Sequence, residues 1–268
     1  MCDLCVINSV KSKMLSRRNF FKASAAAAAV GTVAAAPASL AAGHSSVVDM
    51  THSLSADFPT WGGDPGFAAE QMAKFDADGF NLFNLTINEH TGTHIDAPLH
   101  FSADGASVDE IPVENLVAPL CVIDIAARAA EDADTQVTPD DLNAWISANG
   151  DIPDNACVAM NSGWGGKAAT DEFRNFDGTA QHYPGFHGEA AAMLLETGAS
   201  SIAVDTLSLD HGMSPDFATH YLWLPAGRFG IENIANLDRM PASGATIFIG
   251  APKHKGGTGG PARVMAMV

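Results

Sequence analysis

Residues 83–87 alternate apolar and polar side chains: Phe83, Leu85 and Ile87 take odd positions, Asn84 and Thr86 even ones, and Asn88 and His90 continue the polar set. Period two belongs to a strand, whose successive side chains point to opposite faces. The pattern therefore predicts a strand with its odd positions in the core and its even positions toward a polar site. Further strands are predicted over 117–125, 156–161, 201–207, 245–249 and 263–268, where apolar residues run together. Thr138-Pro139-Asp140-Asp141 forms a capping box with proline at the first helical position, so a helix runs from there to about Ala148 and stops near Gly150. A second helix is predicted over 187–196, ending before Gly198. No internal repeat is visible, and strands mixed with helices predict one domain of the α/β (α+β) class.

Residues 90–100 read H-T-G-T-H-I-D-A-P-L-H. Extending the parity puts His90, His94 and Asp96 on one polar face, with Gly92 leaving room for an ion to approach the backbone. The β-branched Thr91 and Thr93 argue against a helical His-x-x-x-His, and Pro98 is expected to end the pairing and turn His100 back. Imidazole and carboxylate are ligands for Zn, Mn or Fe. A lone histidine is more often a satisfied core or surface residue. Four ligand-type side chains at this spacing favour metal.

The string resembles the H-x-G-T-H-x-D-x-P-x-H signature of the cyclase family of metal-dependent hydrolases. Phe58-Pro59-Thr60-Trp61-Gly62-Gly63-Asp64 resembles that family's N-terminal W-P-G-D segment, with Gly62 in place of the proline. Asn161-Ser162-Gly163-Trp164 resembles its T-G-W turn, and Asp205-Thr206-Leu207-Ser208 its D-T-x-S strand end. His220 and Glu232 are spaced like the pair that completes a second metal site in the formamidase branch. The resemblance implies a first metal on His90, His94 and Asp96 and a second on Asp96, His220 and Glu232, the ions being Zn or Mn, one or two per chain. It implies proton transfer by His100, substrate contact by Trp61, a swivelling β/β/α fold and a homodimer. From the residues alone, His220 reads equally as the one polar residue of an apolar strand or helix end. Glu232, between isoleucines, is either an exposed strand position or a buried ligand. Trp61 caps the core as readily as it meets a substrate. Asp64 and Asp205 are candidates for orienting the ligands.

Ser16-Arg17-Arg18-Asn19-Phe20-Phe21-Lys22, followed by an alanine-rich apolar run and small residues near Ala38 to Ala42, looks like a twin-arginine export signal. The expectation is a leader over 1–42, a hydrolase domain over 43–268, passage through the twin-arginine export machinery and a periplasmic location. The apolar run is shorter than the roughly 20 residues a spanning helix needs. Formal net charge is -17, which makes nucleic acid and anionic membrane surfaces poor partners; the small-molecule substrate is what the family resemblance implies. Cys121 and Cys157 sit in apolar runs and read as two buried thiols rather than a disulfide. Gly256-Gly257-Thr258-Gly259-Gly260 reads as a flexible loop, since no Gly-Lys-Ser/Thr or following helix makes it a phosphate cradle.

The expected chemistry is hydrolysis of a C–N bond in a small amide, formamide or lactam by metal-activated water, with His100 carrying a proton to the leaving nitrogen. Isatin-type or lactone ring opening with one metal is the alternative. A binding protein using the same ligands without turnover belongs to a different class, and closed coordination would mark it.

Overall fold

The computed structural model describes residues 46–268; the predicted export signal lies outside the described residues. The strands in chain order are β1 (Val47–Asp49), β2 (Phe67–Ala73), β3 (Leu82–Ile87), β4 (His94–Asp96), β5 (Val117–Asp124), β6 (Gln136–Val137), β7 (Cys157–Asn161), β8 (Gly185–Phe186), β9 (Ser201–Val204), β10 (Phe229–Glu232), β11 (Ala245–Gly250), β12 (Gly259–Pro261) and β13 (Arg263–Met267). The helices are α1 (Phe75–Asp78), α2 (Ala126–Glu131), α3 (Pro139–Asn149), α4 (Gly188–Leu195) and α5 (Ala218–Trp223). None of these helices is long and apolar enough to cross a membrane.

A nine-stranded sheet in the order β1-β13-β11-β5-β7-β9-β10-β4-β12 carries the domain. Its centre, β5-β7-β9-β10, is parallel, and the strands on both flanks are antiparallel. Parallel strands are covered on both faces, which explains their continuous apolar runs. Leu120 and Val122 enter one core cluster, whereas Cys121 and Ile123 enter the other. The second cluster packs the sheet against Leu142 and Trp145 of α3, Ala190 and Leu194 of α4 and Trp223 of α5. The first unites Val48 and Ala266 from one end of the strand order with Ile95 and Ile231 from the other. Residues at opposite ends of a sheet meet only if it curls on itself. Each large aliphatic side chain buried this way contributes about 1.5–3 kcal/mol before chain entropy is counted.

The local signals hold where they depend on the chain alone. The Thr138 N–H donates to the Asp141 carboxylate at 2.8 Å, closing the predicted box, and α3 stops before Gly150, which takes φ +92°. Cys121 and Cys157 are both free and buried.

The expected core face of residues 83–87 is not a core. Among the described residues β3 pairs only with β2, forming a two-stranded ribbon outside the main sheet, and Phe83, Leu85 and Ile87 are 49%, 55% and 41% exposed. Alternation records that one face is apolar but not what covers it. The glycine-rich stretch also differs from its reading as a flexible loop, because Gly259–Pro261 pairs with β4.

Candidate active site

Three of the five candidate ligands are placed by strand register. His94 and Asp96 are two apart on β4 and share a face. β10 runs antiparallel beside it with Glu232 directly opposite His94 and Gly230 opposite Asp96. The intervening Ile95 and Ile231 point into the first core cluster, so the polar face is fixed by burial of the apolar one. A one-residue slip would turn the ligands into the apolar core and the isoleucines onto the polar face.

His90 arrives by a turn instead of by strand register. β3 ends at Ile87, and Gly92 at φ +63° redirects the chain into β4. The His90 ring then lies with Nδ1 at 2.7 Å from Asp96 Oδ1. Pro98 opens a 3-10 turn over Pro98–His100 that folds His100 back, as expected, and its ring stacks on His90 with centroids 3.8 Å apart. His220 enters from α5, buried, with Nε2 at 3.5 Å from Asp96 Oδ2 and 3.2 Å from Glu232 Oε1. His94 Nε2 lies 3.3 Å from both Asp96 Oδ1 and Glu232 Oε2.

The buried carboxylates need positive charge. Burial alone would raise the Asp96 carboxyl, but the imidazoles crowded around it, those of His220, His90 and His94, hold it well below the usual range. Burial disfavours a charged His94, yet Asp96 and Glu232 push it up to about 10; His220 is likewise raised, by Asp210, Asp96 and Glu232 against its burial. A proton on each ring is one way to neutralise the cluster, and a divalent cation is the other. The geometry suits the cation. His94 Nε2 and Asp96 Oδ2 are buried without a hydrogen-bond partner among the described residues, and such orphaned atoms cost about 1–3 kcal/mol each. His90, His94 and Asp96 can hold an ion together, as can Asp96, His100 and His220. The second group brings in His100, expected to be a proton carrier, where the family resemblance implied Glu232.

Trp61 is half-exposed, its ring 5.7 Å from Phe217, and both line a cavity of about 460 Å³ that opens onto His90, His94, His220 and Glu232. It stands at the mouth and does not cap the core. Asp64 lines the same cavity. Asp205 does not. Its carboxylate accepts from the Ser162 N–H at 3.1 Å, the Ser162 hydroxyl at 2.5 Å and the Trp164 N–H at 3.0 Å, so it holds the 161–164 turn and orients no ligand.

Several contacts around the candidate ligands were not read from sequence. Asp210 accepts from His220 Nδ1 at 2.5 Å and from the Thr219 N–H at 2.7 Å, fixing the ring and the start of α5. The Gly92 carbonyl is 2.9 Å from His94 Nδ1. Phe101 packs 4.6 Å from the His220 ring. Only the nearness of Asp210 to the D-T-x-S stretch hinted at any of them.

The matching family description is putative cyclase, over residues 48–211. Isatin hydrolase from Roseibium aggregatum is 35% identical over 252 residues, covering 86% of this chain and 95% of that protein. The chain belongs to the cyclase family and is a metal-dependent hydrolase acting on C–N bonds. It is also similar to kynurenine formamidase from Bacillus mycoides, 28% identical over 188 residues and covering 70% of this chain and 81% of that one. A crystal structure of an isatin hydrolase bound to the product analogue thioisatinate superposes with a TM-score of 0.80 at 29% identity, covering 95% of this chain and 99% of that one.

Proposed function

We propose that this chain opens the ring of a small cyclic aryl amide of the isatin type, with open-chain aryl formamides as poorer substrates. The observation that carries the reading is the register-fixed set of His94, Asp96 and Glu232, joined by His90 and His220 at the floor of a cavity walled by Trp61, Phe101 and Phe217. Flat aromatic walls suit a flat aromatic substrate. The similarity to isatin hydrolase, which exceeds that to the Bacillus mycoides kynurenine formamidase in identity and coverage, supports the cyclic amide. Thr91 and Ser208 line the same cavity, and their hydroxyls are buried without partners among the described residues.

His90, His94 and Asp96 would hold one Zn or Mn ion, and Asp96, His220 and Glu232 a second, with Asp96 between them. Such an ion supplies a nucleophile at neutral pH by lowering the pKa of water and polarises the substrate carbonyl. His100 receives the proton released on attack and passes it to the leaving nitrogen. Burial pushes its ring down to about 4, so it is a neutral acceptor at pH 7. Trp61 and Phe217 orient the ring system and keep water from its face. The apolar face of the β2–β3 ribbon supports a homodimer, and the Ser16 to Lys22 motif supports twin-arginine export of the 43–268 domain to the periplasm after removal of 1–42. Comparing kcat/KM for isatin and N-formylkynurenine tests the substrate assignment. A higher value for isatin is expected, and a clear preference for the formamide would overturn it.

A further inference from the structure

The glycine-rich stretch Gly256 to Gly260 has no part in the chemistry above, yet it touches the site. Gly259 pairs opposite Asp96, and the Thr258 carbonyl accepts from the Ala97 N–H at 2.9 Å, so the stretch lies along β4. A Cβ on Gly259 would collide with the Ile95 carbonyl and come within 2.9 Å of His90 Cε1. Glycine is needed there because the chain runs flush against a candidate ligand. What that approach delivers is the Thr258 hydroxyl, 2.9 Å from His90 Nε2.

The direction of that hydrogen bond follows from the next partner. Thr258 Oγ1 lies 2.5 Å from Glu89 Oε2, which also accepts the Thr258 N–H at 3.2 Å, while Glu89 Oε1 is 2.6 Å from His254 Nε2. An ionised carboxylate only accepts, and a hydroxyl has one proton to give. Thr258 gives it to Glu89 and is left to accept from His90. The proton of the neutral imidazole then sits on Nε2, and the lone pair of Nδ1 faces Asp96 at 2.7 Å. We infer that Glu89 and Thr258 form a positioning relay that sets the tautomer and ring angle of His90 so that Nδ1 is its metal-binding atom. This rests on the reading of His90 as a ligand and deepens it. Partners behind a ligating histidine typically govern metal affinity 10- to 100-fold.

The test uses zinc alone as probe, on the full chain. Thr258→Val removes the hydroxyl at nearly constant shape, and Thr258→Ser restores it. Zinc affinity is expected to fall about 10- to 100-fold in the valine variant and to return to the parent value in the serine variant. In the zinc-loaded parent and serine variant, ¹⁵N-histidine NMR is expected to show His90 with its proton on Nε2, and in the valine variant that signal is lost to exchange. Should Thr258→Val fail to fold, Glu89→Gln makes the same test, because its amide can donate to Thr258 and free the hydroxyl proton toward His90. Parent-like affinity in both variants, with His90→Ala losing zinc, would overturn the relay and leave the ligand reading standing. Full zinc binding by His90→Ala would overturn both.

Discussion

Replacing Asp210 with asparagine alters little in shape but reverses a hydrogen bond. The carboxylate accepts from His220 Nδ1 at 2.5 Å and from the backbone N–H groups of Thr219 and His220 at 2.7 and 3.2 Å. With the asparagine oxygen kept on Thr219, its NH2 points at His220 and donates to Nδ1. The imidazole proton then moves to Nε2, the atom 3.2 Å from Glu232 and 3.5 Å from Asp96, where a ligand's lone pair is required. The loss expected for such a partner is 10- to 100-fold in metal affinity, or about 1.4–2.8 kcal/mol. Global stability should suffer less, since the buried negative charge is removed along with its hydrogen bonds. Metal titration followed by isothermal calorimetry, with a thermal melt of the metal-free protein beside it, measures both quantities. Parent-like metal affinity in folded Asp210→Asn would refute the reasoning that His220 binds through Nε2 and is oriented by Asp210.

His100→Ala is expected to lower kcat on a cyclic amide about 100-fold or more while metal content stays at the parent value; loss of metal would make His100 a ligand, as the Asp96, His100 and His220 grouping allows. Chelation should lower the thermal midpoint, because an ion present at about 100 times its Kd adds about 2.7 kcal/mol, and added zinc or manganese should restore it. Burial pushes the Asp205 carboxyl up to about 6, above the unfolded value near 3.9. Its contribution is therefore fully present below about pH 3.9 and lost as pH rises through about 6. Unfolding measured at pH 4 and 7 should show the parent losing about 2 kcal/mol relative to Asp205→Asn. The proposed homodimer through the exposed ribbon predicts a parent of dimer mass and a monomeric Leu85→Asp in light scattering; a monomeric parent would overturn the dimer, and a dimeric variant would place its interface elsewhere.

The residues whose placement depends on local periodicity or local hydrogen bonding were legible in the sequence. His94 and Asp96 share a face because strand geometry repeats every two residues, and Thr138 caps α3 because its partner is three residues away. Pairing between distant segments was not. That Glu232 lies opposite His94 is a matter of register between strands far apart in the chain, and only the family resemblance pointed to it. The same limit misplaced Phe83, Leu85 and Ile87, whose alternation is real but whose strand joins the ribbon and not the main sheet. Asp210 and Thr258 act through hydrogen bonds that no spacing rule announces, and a run of glycines looks alike in sequence whether it is loose or pressed against a ring.

The most direct test of the central claim is metal content per chain in protein purified without chelator, measured alongside isatin hydrolysis in the parent and in His94→Ala. The account predicts one to two zinc or manganese ions per parent chain, with metal and turnover lost together in the variant. Undiminished hydrolysis by metal-free protein would contradict it.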